Sequence, residues 1–180
     1  MKRDTEKPLT IGAKRTLKAL REVMEDQLEK KSFDQIQIKE LCEESMIPRA
    51  TFYNYFEDKY DLLDYVFSEE LAPVLGGTTY EEIIAALFDN AEKYQTHLAK
   101  ILKKNPIGST FVQLYEQFFR GEVYRYIYKS GVYDGYDIPH ELLAQVTADV
   151  ILDVYEWVYI KGNQIPREEI GRYIEKMLIQ

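Results

Sequence analysis

Apolar residues recur at helical spacing along most of the chain. Ala13, Leu17, Leu20, Met24 and Leu28 follow one another at steps of four, three, four and four, which predicts an amphipathic first helix over residues 10 to 31. No stretch of the sequence alternates between β-branched and polar residues as a half-buried strand does. The pattern therefore predicts an all-α protein.

A short second helix is predicted at the start of the segment IKELCEESMIPRATFYNYFEDKYDLL, residues 38 to 63. Its buried face carries Ile38, Leu41, Cys42 and Ser45, which recur at i, i+3, i+4 and i+7. A third helix follows after only a few residues. Two short helices joined by a tight turn are the pattern of a helix-turn-helix that reads DNA.

The third helix is predicted to begin at Pro48 or Arg49, because proline is favoured at or beside a helix start. Phe52 and Phe56 are four residues apart and are expected to anchor this helix to the core. At 100° per residue, the opposite face is polar and partly cationic. That face carries Arg49, Ala50, Thr51, Tyr53 and Asn54.

The rest of the chain also has helical periodicity, interrupted by clear breakers. Asp58 is expected to cap a fourth helix, and Thr79 with Glu82 forms a capping-box pattern for a fifth. The segment from 73 to 79 is expected to be a linker, and Asn105, Pro106 and Gly108 to break the fifth helix. Helices are predicted at 59–71, 79–103, 109–130, 139–161 and 166–178.

Composition limits the classes of protein that the chain can represent. With 180 residues, 46% of them hydrophobic, the chain can form one core with a small appendage, which excludes a large multidomain enzyme. Cys42 is the only cysteine, so an internal disulfide and cysteine-based zinc sites are excluded. The sequence has no signal-peptide pattern and no apolar run of membrane-spanning length. We expect a cytoplasmic protein with no membrane partner.

Charge is distributed unevenly along the chain, which has a net charge of −8. Residues 1–60 carry 12 basic and 12 acidic side chains, so all of the excess acid lies in residues 61–180. Residues 1–21 have a local balance of +5. Such an arm and first helix could contact phosphates, or the arm could be a merely soluble tail; the sequence leaves both readings open.

The helix-turn-helix resembles that of the TetR family of transcriptional regulators. The resemblance lies in Ala50-Thr51-Phe52-Tyr53-Asn54-Tyr55-Phe56, then Asp58-Lys59 and Leu62-Leu63. The tail resembles the branch that includes dihydroxyacetone kinase regulators, through Ile138-Pro139, Glu156-Trp157-Val158, Gly162 and residues 166–170. The resemblance implies a three-helix DNA-binding head at 1–58, joined by a fourth helix to a ligand-binding and dimerisation body at 59–180.

Membership of this family implies a homodimer that binds a double-stranded DNA operator and is released from it by a small-molecule effector. The positions that match DNA contacts of the family are Gln37, Lys39, Arg49, Ala50, Thr51, Tyr53, Asn54, Tyr55 and Lys59. Gln37 takes the place of the family's capping hydroxyl, and Lys59 that of a lysine that contacts phosphate. Arg49 and Asn54 can bond guanine and adenine edges, whereas Thr51 and Tyr53 should mainly grip phosphates.

Two positions depart from the family pattern. Met46 stands where the family usually has a glycine in the turn, so either the turn is reshaped or Met46 is strained at positive φ. Pro48 replaces the usual serine or threonine cap of the recognition helix, which removes a cap worth roughly 1 kcal/mol but presets φ. Neither change removes a predicted DNA contact.

The body contains many aromatic residues among the 15 tyrosines and 8 phenylalanines of the chain. Most such residues pack helices together, but tyrosines can also line a pocket for an apolar or aromatic effector. The candidates for ligand binding are Tyr94, His97, Phe111, Tyr115, Phe118, Phe119 and Trp157.

The seventh helix is apolar on more than one face, which suggests two packing partners. The alternative is an interior helix of a monomer; because family dimers associate through their last two major helices, we favour a two-fold four-helix interface with the final helix. Small residues would let a second helix approach closely, and the predicted dimerisation residues are Ala144, Ala148, Ile151 and Tyr155.

The sequence contains no pattern typical of a catalytic or metal site. His97 and His140 are the only histidines, and neither lies in a recognisable pattern with carboxylates or a cysteine. We therefore expect no enzyme activity, no cofactor and no metal. The sequence favours a DNA-binding regulator, and a repressor rather than an activator. The alternative is a helical interaction or ligand-sequestering protein that has lost DNA binding.

Overall fold

The computed structural model describes residues 9–74, 80–131, 133 and 135–178, and these residues are helical throughout apart from turns. Two compact units divide them. The first unit comprises the described part of residues 1–70 together with Lys100–Val112, and the second comprises the described part of Leu71–Ala99 and Gln113–Gln180. The α-helices are α1 Ile11–Lys30, α2 Ile38–Glu44, α3 Arg49–Tyr53, α4 Lys59–Leu71, α5 Tyr80–Lys104, α6 Thr110–Ser130, α7 His140–Tyr155 and α8 Arg167–Leu178.

The all-α prediction is confirmed, and helix boundaries lie within a few residues of those predicted. The hydroxyl of Thr10 caps α1 by accepting a hydrogen bond of 3.2 Å from the backbone N–H of Ala13. The five apolar residues at helical spacing in α1 are all buried, as the pattern predicted. Gly162 has a φ of +73°, the left-handed conformation that glycine adopts readily after the end of a helix.

In the first unit, α2 packs against α1, α3 packs against α2, and α4 follows after a cap. Phe52 and Phe56 are fully buried, with ring centroids 5.6 Å apart, so they anchor α3 as predicted. Asp58 caps α4, because its Oδ1 accepts hydrogen bonds from the backbone N–H groups of Tyr60 and Asp61 at 2.9 and 3.0 Å. The predicted linker at 73–79 and the predicted cap at Thr79 fall mostly on residues 75–79, which lie outside the described residues.

Helices α5 and α6 each contribute residues to both units. The turn between them, with the last residues of α5 and the first of α6, belongs to the first unit. There Phe111 packs edge-on against Phe67 of α4, with ring centroids 5.8 Å apart. Gly108 in this turn has a φ of +87°, a conformation that glycine adopts without a steric penalty.

The second unit is built around an aromatic cluster on α5, α6 and α7. Phe88, Tyr115, Phe119 and Tyr155 are buried, and the hydroxyls of Tyr115 and Tyr155 are hydrogen-bonded at 2.7 Å. Helix α7 continues after Tyr155 as one π-helical turn, Glu156–Ile160, in which the N–H of residue 161 bonds the carbonyl of residue 156 at 2.9 Å. The predicted seventh helix therefore covers α7 and this turn.

Helix α8 is tied to α5 at its first residue. Arg167 donates to Asp89 Oδ1 at 2.7 Å and to the carbonyl oxygen of Ala85 at 3.0 Å, and its guanidinium lies 5.7 Å from the ring centre of Phe88. Tyr159 donates its hydroxyl to the carbonyl oxygen of Phe88 at 3.3 Å. The π-helical turn and the start of α8 are thus fixed to the same part of α5. Among the described helices, none has the length and apolar character needed to cross a membrane.

Candidate nucleic-acid interface

One side of α3 is buried in the core, and this leaves the opposite side of the helix exposed. Phe52 is fully buried, whereas the polar residues predicted to contact DNA lie outside. Arg49, Ala50, Tyr53 and Asn54 are exposed, and Thr51 and Tyr55 are partly buried. Asn54 follows the last helical residue and closes the helix through a bond from its N–H to the carbonyl oxygen of Thr51 at 3.2 Å. The predicted reading set is therefore brought together on one short exposed surface.

Helix α2 is held beside α1 by side chains that the sequence patterns did not identify. Gln37 and Lys39 are exposed, and Gln37 is the N-cap residue whose backbone N–H donates to Glu40 at 3.3 Å. Lys31, just after α1, donates to the same carboxylate at 2.6 Å. The ammonium of Lys31 and this backbone N–H lower the pKa of Glu40, and Lys31 is the larger cause. This network fixes the start of α2 relative to the end of α1.

The turn between α2 and α3 keeps the geometry of a helix-turn-helix despite the missing glycine. Met46 has a φ of +56° and donates its N–H to the carbonyl oxygen of Glu43 at 3.2 Å. Ile47 donates to the carbonyl oxygen of Cys42 at 3.0 Å, which completes a Schellman motif. This motif requires a residue in the left-handed region, so of the two alternatives the structure has the strained Met46 rather than a reshaped turn. Pro48 is the N-cap of α3.

Lys59 has a different position from the one expected of a phosphate contact. Its ammonium donates to the backbone carbonyl oxygens of Phe33, Asp34 and Ile36, at 2.8, 3.1 and 3.1 Å. It also lies 4.6 Å from the ring centre of Phe33, and burial lowers its pKa. An ammonium has three N–H donors, and all three have partners here. In this conformation Lys59 fixes the turn before α2 and has no donor left for DNA.

Basic residues on α1 provide a cationic surface in the same unit. Lys14, Arg15 and Lys18 are exposed, and Lys18 pairs with Glu22 at 3.6 Å. Arg21 is half-buried and lies 3.5 Å from Glu25, so it is less available. The basic residues of the predicted arm, Lys2, Arg3 and Lys7, lie outside the described residues. The contribution of this surface to DNA binding stays a prediction.

Among the residues predicted to bind a ligand, Tyr115 and Phe119 line a small cavity in the aromatic cluster, whereas Trp157 lines a separate groove. Tyr115 and Phe119 are buried and stacked on each other, with ring centroids 4.2 Å apart, and the cavity beside them measures only about 10 Å³. That volume suits roughly one water molecule. Tyr94, His97 and Phe118 are partly buried and Trp157 is exposed, whereas Phe111 belongs to the first unit. An effector site built from this set stays a prediction.

The residues predicted to form the dimer interface lie inside the chain's own core. Ala144, Ala148 and Ile151 have no exposed surface, and Tyr155 is 4% exposed. At 100° per residue these four residues share one side of α7, and this side faces the aromatic cluster. Leu142 and Val146 lie on the opposite side. The assignment of faces therefore has to be corrected: the small residues allow close packing within the chain.

An apolar surface does lie on the outward side of α7 and α8. Leu142, Val146, Trp157, Tyr173 and Met177 are between 36% and 56% exposed. Part of this surface forms an open groove of about 470 Å³. The groove is lined by Asp153, Val154, Trp157, Gln164, Ile165, Pro166, Tyr173 and Met177. Sequence periodicity identified α7 as apolar on two faces, but it could not show which face was turned outward.

Comparison with known proteins agrees with the resemblance of the helix-turn-helix to the TetR family. Residues 21–66 match the family model of bacterial regulatory proteins, tetR family. The chain is 22% identical over 158 residues to the HTH-type dhaKLM operon transcriptional activator DhaS of Lactococcus lactis subsp. lactis (strain IL1403), covering 84% of this chain and 83% of that protein.

Solved structures of similar proteins share the fold along most of the chain. The dihydroxyacetone kinase operon activator DhaS superposes with a TM-score of 0.62 at 20% identity, covering 91% of this chain and 94% of that one. A TetR-family regulator from Syntrophomonas wolfei str. Goettingen gives 0.59 at 20% identity, covering 92% and 93%. The match of residues 21–66, the exposed recognition helix and these likenesses lead to one assignment. Residues 21–66 form a DNA-binding domain of the TetR family of bacterial regulatory proteins, and the chain is a DNA-binding transcriptional regulator.

Proposed function

We propose that the chain acts as a homodimer on a pseudo-palindromic operator whose half-sites are about one helical turn, ~34–36 Å, apart. The observation that supports this most directly is the polar face of α3, where Arg49, Ala50 and Asn54 are exposed opposite the buried Phe52. A two-fold dimer presents two such faces, which fit two successive major grooves of B-form DNA.

Within each half-site, different side chains have different tasks. Arg49 and Asn54 can form paired hydrogen bonds with guanine and adenine edges, so they determine the sequence that is bound. Thr51 and Tyr53 offer hydroxyls to phosphates, and Lys39 at the start of α2 adds a positive charge. These contacts fix the register of the protein on the duplex. Lys59 is left out of the set, because its donors bind backbone carbonyls.

We assign dimerisation to the outward side of α7 and α8. Leu142, Val146 and Trp157 follow one another along α7 and the π-helical turn, and Tyr173 and Met177 extend the surface on α8. Several exposed apolar side chains on the outward side of neighbouring helices are typical of a protein contact. The second copy is the natural occupant, since a two-fold axis places the same surface on both chains. The groove between α7 and α8 would then be filled by side chains of the partner.

Binding of a small molecule within the aromatic cluster would require the body to change conformation. The cavity beside Tyr115, Phe119 and Tyr155 has room for roughly one water molecule, so an effector has to open the aromatic cluster to bind there. Such an effector lowers or raises DNA affinity by its differential affinity for the two conformations. We retain the proposal of a repressor that is released by an effector. Activation is the second candidate, because the proteins named DhaS that this chain resembles are activators.

Selection from random duplex DNA tests the DNA-binding proposal without knowledge of the operator. The full chain should enrich a pseudo-palindromic duplex and bind it in a gel-shift assay far more tightly than a scrambled duplex of equal length. Failure to enrich any sequence would favour the alternative, an interaction protein that has lost DNA binding. Transcription in vitro from a promoter that overlaps or adjoins the enriched sequence then separates a repressor from an activator by the sign of the change.

A further inference from the structure

Asn105 is the first residue after α5 and has no exposed surface. It lies in the turn between α5 and α6, and its amide points toward the end of α1. A buried amide is costly unless its donors and its acceptor are satisfied. The partners of Asn105 therefore indicate what this residue does in the fold.

The Asn105 amide bonds the backbone at the end of α1 and at the turn that follows it. Its Oδ1 accepts a hydrogen bond of 2.7 Å from the backbone N–H of Phe33. Its Nδ2 faces the carbonyl oxygens of Leu28 and Lys31, at 3.2 and 3.4 Å, and that of Ile101 in its own helix at 3.2 Å. One side chain thus satisfies orphan groups at the end of one helix and the start of the next turn.

Phe33, whose N–H bonds Asn105, is also bound by Lys59 of α4. Phe33 gives its N–H to Asn105 and its carbonyl oxygen to the ammonium of Lys59. Phe33 opens the 3₁₀ turn Phe33–Gln35, and α2 begins three residues after that turn, at Ile38. The turn before the helix-turn-helix is therefore fixed between α4 and the turn that joins α5 to α6.

Two contacts at the surface flank Asn105. Lys100 lies 3.3 Å from Glu29 of α1, and Thr110 donates its hydroxyl to Asp34 at 3.1 Å. Exposed contacts of this kind contribute little energy each. They place both ends of the α5–α6 turn against the same segment of the first unit, so that the buried Asn105 amide is the central contact of the three.

We propose that Asn105 is a positioning residue for DNA recognition. Its amide holds the α1–α2 connection in the register that presents α2 and α3 to DNA. Asn105 belongs to the first unit, together with the α1–α2 connection that it bonds. The inference rests on the DNA-binding activity of the chain, and it does not depend on whether DNA binding represses or activates transcription.

The test measures DNA affinity at a temperature at which each variant is fully folded. The probe is the duplex recovered by selection with the wild-type chain, and binding is followed by fluorescence anisotropy alongside circular dichroism. Asn105→Ala removes the acceptor and the donors, whereas Asn105→Asp keeps the acceptor for Phe33 and removes the donors. Val123→Ala is the control, because Val123 is a buried residue of α6 in the second unit.

The proposal predicts a loss of affinity that loss of stability does not explain. Asn105→Ala should weaken binding of the selected duplex about tenfold or more, and Asn105→Asp, which places a carboxylate oxygen against backbone carbonyl oxygens, should weaken it at least as much. Val123→Ala should lower the melting temperature and leave the affinity within about twofold. Equal affinity of folded Asn105→Ala and wild type would overturn the proposal, as would an equal loss in Val123→Ala.

Hydrogen exchange provides a measurement that does not need a folded variant. Binding of the selected duplex to the wild-type chain should slow exchange of the Phe33 amide, because presentation of α2 and α3 requires this bond. Unchanged exchange at Phe33 would overturn the proposal even where both Asn105 variants fail to fold. Failure of the wild-type chain to select any duplex is a different result, which contradicts the DNA-binding activity itself.

Discussion

The ammonium of Lys59 lies 2.8 Å from the backbone carbonyl oxygen of Phe33 and 4.6 Å from the centre of the same residue's ring. The first residue of α4 is therefore bound to the turn that precedes α2. A lysine at this position was expected from the family resemblance to contact phosphate. Its bonds to backbone carbonyls instead make it part of the scaffold that orients the helix-turn-helix.

Replacement of Lys59 by methionine should lower stability and leave the salt dependence of DNA binding unchanged. The variant keeps the aliphatic stem but leaves the carbonyl oxygens of Phe33 and Ile36 without this donor, which costs about 1–3 kcal/mol. The melting temperature should fall by roughly 2–10 °C. Measurements are thermal denaturation and anisotropy titrations at several salt concentrations. If the variant has a flatter salt slope and unchanged stability, Lys59 contacts phosphate and the scaffold role is wrong.

Asn54 should contribute to the choice of DNA sequence that the protein binds, whereas Lys39 should not. Asn54→Ala is expected to reduce discrimination at one base position by ~1–3 kcal/mol, because it removes a paired bond to a base edge. Lys39→Ala is the matched control: it should weaken all duplexes alike and reduce the salt slope by about 1. Gel shifts on the selected duplex, on single-base variants of it and on scrambled DNA distinguish the two. Equal losses on selected and scrambled DNA for Asn54→Ala would rule out base reading.

Met46→Gly should stabilise the protein. Met46 is 88% exposed and has a φ of +56°, so glycine relieves a steric penalty of about 1 kcal/mol with little loss of buried surface. The expected rise in melting temperature is roughly 2–4 °C, reduced by the greater entropy of glycine in the unfolded chain. Met46→Ala is the control, since it removes the side chain and keeps the strain. The same melting temperature in both variants would contradict the strain argument.

Val146→Glu should disrupt the dimer and, with it, operator binding. Val146 lies on the outward side of α7, and a charge buried there without a partner costs several kcal/mol. Sedimentation equilibrium should show a monomer at micromolar concentration, with unchanged helical content by circular dichroism. Gln117→Glu on the exposed surface of α6 adds the same charge elsewhere and should leave the dimer intact. A dimeric Val146→Glu variant would move the interface away from α7.

Glu116→Gln should raise stability near neutral pH but not in acid. Burial, and secondly the charge of Glu156, raise the pKa of the Glu116 carboxyl in the folded chain. Protonation therefore favours folding, and this contribution is present at low pH and lost as pH rises through the folded pKa. The variant should melt on the order of 1–3 °C higher at pH 7.5, and the gain should vanish at about pH 4. Exposed Glu141→Gln is the control and should show no such pH-dependent gain.

Much of the fold could be predicted from spacing alone. The periodic apolar residues of α1, the paired Phe52 and Phe56, and the cap at Asp58 act locally, so the sequence contains the whole signal. The exposed face of α3 follows from the burial of its opposite face. Met46 could also be identified as a departure, because it stands where the TetR family usually has a glycine in the turn, and its φ is positive.

Residues that act over long sequence separations could not be identified in this way. Asn105 has the appearance of a helix breaker next to Pro106, yet its amide bonds Phe33, 72 residues earlier. Lys59 matched a family position, but its partners are carbonyls that any sequence provides. On α7 both faces are apolar, so the choice between Ala148 and Val146 depends on what the rest of the chain covers.

The α5–α6 turn also determines where this regulator can be cut and recombined. A chimaera that takes residues 1–58 from this chain and the remainder from a relative would separate Phe33 and Leu28 from Asn105. Residues 1–58 would then pack against the α5–α6 turn of the relative, which evolved with a different head. An exchange that preserves recognition must therefore transfer two stretches of sequence, residues 1–70 and Lys100–Val112, because the first unit is contiguous in space but not along the chain.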